Sequence, residues 1–434
     1  MTKTDERPVS WLWRVLVGSC LVSLSLPLCA EDVPVRAARQ IGSDAKTGIS
    51  QAVVVESGGL AYTAQLMPIA PSGQLIGQDA ESQTESVFKE LTRAFRTTQG
   101  SERDHFVKLN VYVANADVAQ VVRSLLARRF TGALMPAVSF VQTRLPHPGA
   151  LVAIDAVYLA AKNGPPGIAA MPTYAQQTSM PFGYVRIVAN APRIYISGQA
   201  EKGENLRDAT AKTLRSLQAT LNHLGVTKQH VVQIKCFLTP MSEVQQAKDA
   251  IAEHFTTDPV ISKFESVPPW VFVEWQSTLP IEIELLVADI PLARRNESEI
   301  RTTGKIANPR EAMEFITPPG MTASPVFCRV VRVNDPRTIF VSGLYAKDET
   351  NGAGQVTQVF EQLQDILKAS GSDLRHLAKA TYYVSENDAS AKLNELRPKF
   401  YDPTRPPAAS KAQVFGVGLA GRSLTLDMIA VPAK

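Results

Sequence analysis

Apolar residues along this chain switch between the two-residue period of strands and the 3.6-residue period of helices, in the same order three times. Each copy predicts two β-strands joined by a turn, an amphipathic helix, a third strand, a second helix and a final strand. The glycines after the first helices and the starts of the third strands are both spaced by 125 and then 146 residues; they are Gly100, Gly225 and Gly371, and Val107, Val232 and Ala378. The pattern therefore predicts an α+β protein of three tandem β-β-α-β-α-β units.

The first two strands of each copy predict a recurring hairpin, because a short turn of Gly, Asn or Pro residues joins them. Helices would cover one face of each sheet. The final strands place carboxylates between apolar residues, so the other face is polar; these carboxylates are Asp155, Glu282, Glu284 and Asp427. Three such faces packed together would form a pseudo-trimer within one chain, which we expect to be monomeric. Proline- and glycine-containing segments at 162–179 and 291–322 are predicted as linkers.

The N-terminal segment is typical of a secretory signal over residues 1–30. Lys3, Arg7 and Arg14 precede an apolar run at 15–28, and Ala30 provides a small residue at the expected cleavage site. The run is shorter than the ~20 residues that span a membrane. Export to the periplasm or the exterior, with no membrane contact after cleavage, is the prediction, while an uncleaved anchor and a buried helix or misread start remain open.

Composition and motif spacing argue against a nucleic-acid partner, a metal site and a cofactor. A net charge of +4 over 434 residues is too weak to predict a nucleic-acid partner. The six histidines lack metal-ligand spacing and no glycine-rich phosphate loop occurs, so neither metal nor cofactor is predicted. Cys236 and Cys328 have apolar neighbours and are expected to be buried free thiols, with a disulfide in an oxidising compartment as the alternative.

The middle copy has Tyr184, then Ser197-Gly198-Gln199, a strand at 232–238, and Ile281-Glu282-Ile283-Glu284. These motifs resemble the RidA/YjgF family, also labelled endoribonuclease L-PSP. The resemblance covers residues 45–162, 180–290 and 323–432, which are called repeats 1, 2 and 3 below. It implies a chorismate-mutase-like fold, with small-molecule pockets between neighbouring units.

The resemblance also implies a reaction, the hydrolysis of reactive enamines or imines to a 2-oxoacid and ammonia. Family members bind the substrate carboxylate with an Arg directly after a Pro-Ala pair, since a guanidinium pairs with carboxylate through two hydrogen bonds. In this chain Val138, Trp270 and Ala409 stand at the corresponding positions. The family Arg is therefore missing from all three repeats.

Of the three repeats, repeat 2 alone carries the other implied pocket groups, which are Tyr184, Ser197, Gly198 and Glu282. The Glu position holds Ala153 in repeat 1 and Thr425 in repeat 3, and neither side chain accepts a proton at neutral pH. Glu282 and Tyr184 are the expected catalytic residues, with Ser197 and Gly198 binding substrate.

Two further side chains in repeat 2 are candidate substrate-binding residues. Trp270 either lines a pocket for a less charged ligand or fills the space left by the Arg. Arg186, two residues after Tyr184, either binds a carboxylate or is a solvated or seam-paired cation. Glu282 itself has the alternative role of a structural hydrogen-bond acceptor.

Three classes of function remain open from the sequence. They are a divergent RidA-type deaminase, a small-metabolite-binding module without chemistry, and a structural or interaction protein of the exported compartment.

Overall fold

The computed structural model describes residues 37–96, 106–131, 135–160, 167–171, 185–189, 191–256, 267–290 and 311–433. All of them belong to one compact unit, Arg36–Lys434. Residues 1–36, with the predicted signal segment, and Tyr184 lie outside the described residues. None of the helices described is long and apolar enough to cross a membrane.

The elements contain the predicted order three times, and each set has two strands that were not predicted, one before the first predicted strand and one between the second helix and the final strand. The first set consists of β1 (Ala38–Asp44), β2 (Ile49–Val55), β3 (Gly59–Thr63), α1 (Ala80–Arg96), β4 (Phe106–Val113), α2 (Ala116–Arg129), β5 (Ala137–Gln142) and β6 (Val152–Ala160). The second set consists of β7 (Gly167–Met171), β8 (Val185–Ala189), β9 (Arg193–Gln199), α3 (Leu206–His223), β10 (Val231–Leu238), α4 (Val244–Thr256), β11 (Trp270–Glu274) and β12 (Ile281–Ala288). The third set consists of β13 (Met313–Ile316), β14 (Val330–Val333), β15 (Thr338–Val341), α5 (Gly352–Ala369), β16 (Leu377–Val384), α6 (Asn387–Leu396), β17 (Ala408–Gln413) and β18 (Leu424–Ala430). Strands β7 and β13 lie within the segments predicted as linkers.

The four later strands of each set form a sheet with one strand order, β5-β4-β6-β3, β11-β10-β12-β9 and β17-β16-β18-β15. In each sheet the first pair is parallel and the remaining pairs are antiparallel. The α+β class and the three RidA-like units are thus confirmed.

The predicted hairpins are wrong, because the two strands on either side of each turn do not pair with each other. Strand β2 pairs with β15 of the third set, β8 pairs with β3 of the first, and β14 pairs with β9 of the second. Each repeat therefore donates its first strand to another repeat, and the exchange runs once around all three. The strand patterns left this open because the edges of β3, β9 and β15 offer nearly equivalent backbone partners.

The helices begin and end as local sequence dictates. Asn115, Asn205 and Asn351 cap α2, α3 and α5, each accepting a hydrogen bond from the backbone N–H three residues later. Gly225 and Gly371 follow α3 and α5 with φ of +74° and +80°, the left-handed conformation that ends a helix. The apolar side of each first helix is buried against its sheet, through residues such as Val87, Leu91, Leu214, Leu217, Val359 and Leu363.

The opposite, polar sheet faces meet in a buried cluster of charges from all three repeats. Its carboxylates are Asp155, Glu284 and Asp427, and its ammonium groups are Lys108, Lys235 and Lys379. The Asp427 carboxylate lies 3.0 Å from Lys108 Nζ and 3.4 Å from Lys235 Nζ, and the Glu284 carboxylate lies 2.7 Å from Lys379 Nζ. The predicted polar face is confirmed, and its charges pair between repeats rather than within one.

The two cysteines, Cys236 and Cys328, are buried and free, as expected. Burial raises the pKa of both thiols.

Candidate functional site

Glu282 lies near the start of β12, at the junction between repeat 2 and repeat 3. In β12 it pairs with Phe237 of β10, and on the other side the ladder with β9 is irregular near Gln199. Its side chain lies directly over Gly198, where a Cβ atom would overlap the carboxylate. The Ser-Gly motif therefore provides the space that Glu282 occupies.

Repeat 3 completes the surroundings of this carboxylate. Ser410 of β17 is buried, hydrogen-bonds to Glu282, and accepts a hydrogen bond of 3.2 Å from the Gly198 N–H. Burial raises the pKa of Glu282 to about 7; the Ser410 hydrogen bond opposes the rise, the Glu284 charge adds to it, and the Arg329 charge opposes it. Both protonation states of Glu282 are therefore populated at neutral pH.

The Glu282 carboxylate faces a cleft of about 750 Å³ between the two repeats. Repeat 2 lines it with residues 198–201, Glu282 and one face of α3, and the third set lines it with residues 318–322 and Arg329. The volume is in the range of small-molecule binding pockets. The cleft is thus a candidate site built from two repeats.

Gln199 and Arg329 bring further polar groups to the cleft. The Gln199 Nε2 donates to Thr220 Oγ1 at 2.9 Å, while its Oε1 is buried and has no hydrogen-bond partner among the described residues. The Arg329 Nε donates to the Thr322 carbonyl at 3.3 Å, and the guanidinium lies 4.8 Å from the centre of the Phe327 ring.

Ser197 is buried beneath the cleft rather than facing it. Its backbone N–H donates to the Arg329 carbonyl at 2.9 Å, and its hydroxyl donates to the carbonyls of Cys328 and Arg329. Ser197 therefore fixes the segment that carries Arg329.

The strand exchange places Arg186 at a different junction, between repeats 1 and 2. Tyr184 lies outside the described residues. Val185 pairs with Thr63 of β3. Arg186 pairs with Tyr62, is buried, and donates to the carbonyls of Val231 and, at 3.4 Å, Gln229. Burial lowers the pKa of Arg186 to about 10.

Trp270 also lies at this other junction. Its carbonyl accepts a hydrogen bond of 3.0 Å from the Gln65 N–H, and its ring packs 5.7 Å from that of Phe272 in the buried core. The structure therefore brings Ser197, Gly198 and Glu282 together, and it does not bring Arg186 or Trp270 to them.

The two other junctions have different chemistry. Between repeats 1 and 2, the Gln65 side chain occupies the position of Gln199 and hydrogen-bonds to both the N–H and the carbonyl of Phe272. Between repeats 3 and 1, Thr425 stands in the Glu282 position, near a cleft of about 700 Å³ whose lining includes Arg123 and Tyr345. Of the three junctions, that between repeats 2 and 3 alone has a carboxylate at this position.

Among the described residues, no three His, Cys, Asp or Glu side chains are grouped as ligands of a metal ion.

Sequence reasoning missed Arg329, Ser410 and Gln199 as groups around Glu282. A usable signal exists for Arg329. Ser197 of repeat 2 pairs with Arg329, and the equivalent Ser342 of repeat 3 pairs with Gln51. Arg329 and Gln51 therefore occupy equivalent positions in repeats 3 and 1, and the equivalent residue of repeat 2 is Val185. A comparison across repeats would have found a cation at that position in repeat 3 alone.

The fold and site define a protein of three RidA-like units with ligand-sized clefts between them. The sequence model of the family named Endoribonuclease L-PSP matches residues 43–160, 177–288 and 321–431, and the chain belongs to this family. The family and its three tandem copies, predicted from the motifs, are thus confirmed.

Individual relatives each match about one repeat. Protein DfrA of Myxococcus xanthus is 29% identical over 112 residues, which are 24% of this chain and 84% of that protein. The solved structure of YyfB from Yersinia pestis, titled a protein of unknown function of the Rid family, is 27% identical and covers 29% of this chain and 99% of its own, with a TM-score of 0.26. RidA from an Antarctic Psychrobacter is 24% identical and covers 22% of this chain and 80% of its own, with a TM-score of 0.21.

Proposed function

We propose that this RidA-like protein binds a small metabolite in the cleft between repeats 2 and 3 and hydrolyses reactive imines there to a 2-oxoacid and ammonia. The observation that carries the proposal is Glu282, a half-buried carboxylate with a pKa of about 7 at the base of a cleft of ligand size. A group with this pKa accepts and returns protons efficiently at neutral pH.

In the proposed reaction, water adds to the imine carbon while its proton passes to the Glu282 carboxylate. The new C–O bond forms as the C=N π electrons move to nitrogen. Glu282 then returns the proton to the nitrogen, which gives a neutral carbinolamine. Glu282 next takes the proton of the new hydroxyl and passes it to the amino nitrogen, so that the carbonyl forms as the C–N bond breaks and ammonia leaves. Ser410 Oγ donates to the carboxylate and accepts a hydrogen bond from the Gly198 N–H, which keeps Ser410 and the carboxylate in place.

The absence of the family Arg lowers the rate of imine hydrolysis that we expect. In repeat 3 its position is held by Ala409, which carries no charge and packs against that repeat's apolar cluster. Activity is therefore expected to be weaker than the family reaction implies.

The test is hydrolysis of 2-iminopropionate by the whole chain and by Glu282→Gln, with Glu395→Gln as a matched control. Glu395 is an exposed helix residue paired with Lys392, remote from the cleft. Loss of a general acid–base group costs about 10²- to 10⁴-fold in rate, so Glu282→Gln should lower kcat by at least about 100-fold. A Glu282→Gln protein with unchanged kcat would overturn the proposal, as would no measurable hydrolysis by the unaltered chain.

A further inference from the structure

Arg329 is the cation that the third repeat brings to the Glu282 cleft. It lines the cleft beside residues 318–322 and acts electrostatically on Glu282. Its Nε bond to Thr322 and its stacking on Phe327 hold the guanidinium at the rim. Neither contact uses the two terminal nitrogens, which have no hydrogen-bond partner among the described residues.

Gln199 supplies a second, independent group that points to a ligand. Its side chain is 7% exposed, and its Oε1 atom is buried without a partner in the described residues. A buried carbonyl oxygen normally accepts a hydrogen bond, and leaving it unpaired costs stability. At the equivalent place in repeat 1, Gln65 uses both ends of its amide on the Phe272 backbone. The two ends of the Gln199 amide therefore differ: Nε2 bonds to Thr220, and Oε1 lies in the wall of the cleft without a partner among the described residues.

We propose that Arg329 of repeat 3 binds the anionic end of the ligand, and that Gln199 Oε1 accepts a hydrogen bond from a donor group on the same molecule. The ligand class is a small carboxylate that carries an N–H or O–H donor. This inference rests on the proposed function for the location of the site but not on turnover.

The chain offers a closely matched control for Arg329. Arg405 is also in repeat 3 and half-exposed, donates from Nε to the Arg375 carbonyl at 3.2 Å, and lies 4.8 Å from the Phe315 ring. It is outside the lining of the cleft. A comparison of Arg329→Gln with Arg405→Gln therefore separates loss of an anion-binding group from loss of a surface cation.

The experiment is an NMR-detected titration of the whole chain with lactate, which has a carboxylate and an O–H donor, and with lactamide, its neutral analogue. A charge-assisted hydrogen bond corresponds to about a 10- to 100-fold change in affinity. Arg329→Gln should weaken lactate binding by about that factor and leave lactamide binding unchanged, while Arg405→Gln should alter neither. Equal lactate affinity in Arg329→Gln and the unaltered chain, or no lactate binding at all, would overturn the proposal.

A second measurement tests the effect of the Arg329 charge on the pKa of Glu282. Because this charge opposes the rise in the Glu282 pKa, Arg329→Gln should raise that pKa further, and Arg329→Lys should restore it in part. A carboxyl NMR titration of Glu282 that is the same in all three proteins would contradict the placement of Arg329. Failure of imine hydrolysis combined with Arg329-dependent lactate binding would remove the proposed reaction and retain this inference.

Discussion

Glu282 is a titratable side chain that is buried at a cost to stability and is nevertheless held in place by its neighbours. Burial raises its pKa to about 7, so at neutral pH its charged form is less favoured than that of an exposed Glu. Its neighbours nevertheless keep it in place: Gly198 leaves the space and Ser410 donates a hydrogen bond. A side chain that costs stability while being held in a cleft is typical of a functional site.

This cost predicts a pH-dependent effect of Glu282→Gln on stability. The folded-state pKa of about 7 exceeds the ordinary value of 4.5, so the folded protein holds a proton that the unfolded chain has released between these pH values. The stabilisation from this group is present below pH 4.5 and is lost as the pH rises to about 7. Gln does not titrate, so at pH 8 the variant should be more stable by roughly 3 kcal/mol, with a Tm several degrees higher.

Thermal unfolding of both proteins at about pH 4 and pH 8 checks this prediction. At the lower pH the two Tm values should agree closely. A Tm difference that does not change with pH would show that the Glu282 carboxyl titrates normally in the folded protein.

Among the elements, the strands of the central faces are joined by charge pairs between repeats. The pKa of Asp427 is lowered: burial acts to raise it, but the three lysines together outweigh burial. Asp155 has the opposite environment. Burial raises its pKa, and it accepts hydrogen bonds from Asn110 Nδ2 at 3.0 Å and Tyr112 Oη at 2.7 Å.

The contrast predicts different costs for two similar substitutions. Asp427→Asn would leave the buried ammonium groups of Lys108 and Lys235 without their carboxylate and should destabilise the fold by about 3–5 kcal/mol. Asp155→Asn keeps one oxygen that accepts from Asn110 Nδ2, and its new NH2 group can donate to Tyr112 Oη, so its cost should be near 1 kcal/mol. Chemical denaturation measures both free energies of unfolding, and equal losses would contradict the assigned pairing.

The elements also show how far the sequence predicts this structure. Hydrophobic periodicity and helix-capping residues such as Asn205 and Gly225 are local, so the six predicted elements of each repeat are found, whereas the two further strands of each set were not predicted. Strand pairing is not local: β14 meets equally suitable edges in three similar four-stranded units, and its partner is decided by packing. For the same reason Glu282 and Gly198, which lie in one repeat, could be predicted as a site, whereas Arg329 arrives from another repeat.

At the scale of the whole molecule, the structural unit does not coincide with the sequence repeat, because its last two strands come from another set. The six-stranded sheet β11-β10-β12-β9-β14-β13 lies entirely between residues 193 and 333. Repeat 2 as read from the sequence, 180–290, lacks β13 and β14 and leaves the edge of β9 unpaired. Sheets with an exposed edge of this kind are prone to aggregation.

Two fragments of the chain test this difference. Residues 191–335 should give a cooperative thermal unfolding transition, because the fragment contains every strand of its sheet. Residues 180–290 should be less stable and more prone to aggregate. Equal stability of the two fragments, or greater stability of 180–290, would indicate that the strands pair within their own repeats.

The exchange also explains why the chain has unequal junctions. Each junction takes the residue at the Glu282 position from one repeat and the opposite wall from another. Because these residues differ among the three repeats, the three junctions have different chemical environments. Glu282, Gln199, Ser410 and Arg329 converge at the junction between repeats 2 and 3. We propose that ligand binding and chemistry take place in this cleft.

The most direct test of that proposal is a crystal structure of the whole chain soaked with pyruvate, the 2-oxoacid product of 2-iminopropionate hydrolysis. We expect electron density in the cleft between repeats 2 and 3, with the pyruvate carboxylate at the Arg329 guanidinium and its carbonyl carbon beside the Glu282 carboxylate. Density confined to the cleft lined by Arg123 and Tyr345, or an unchanged Glu282 cleft at saturating pyruvate, would contradict the proposal.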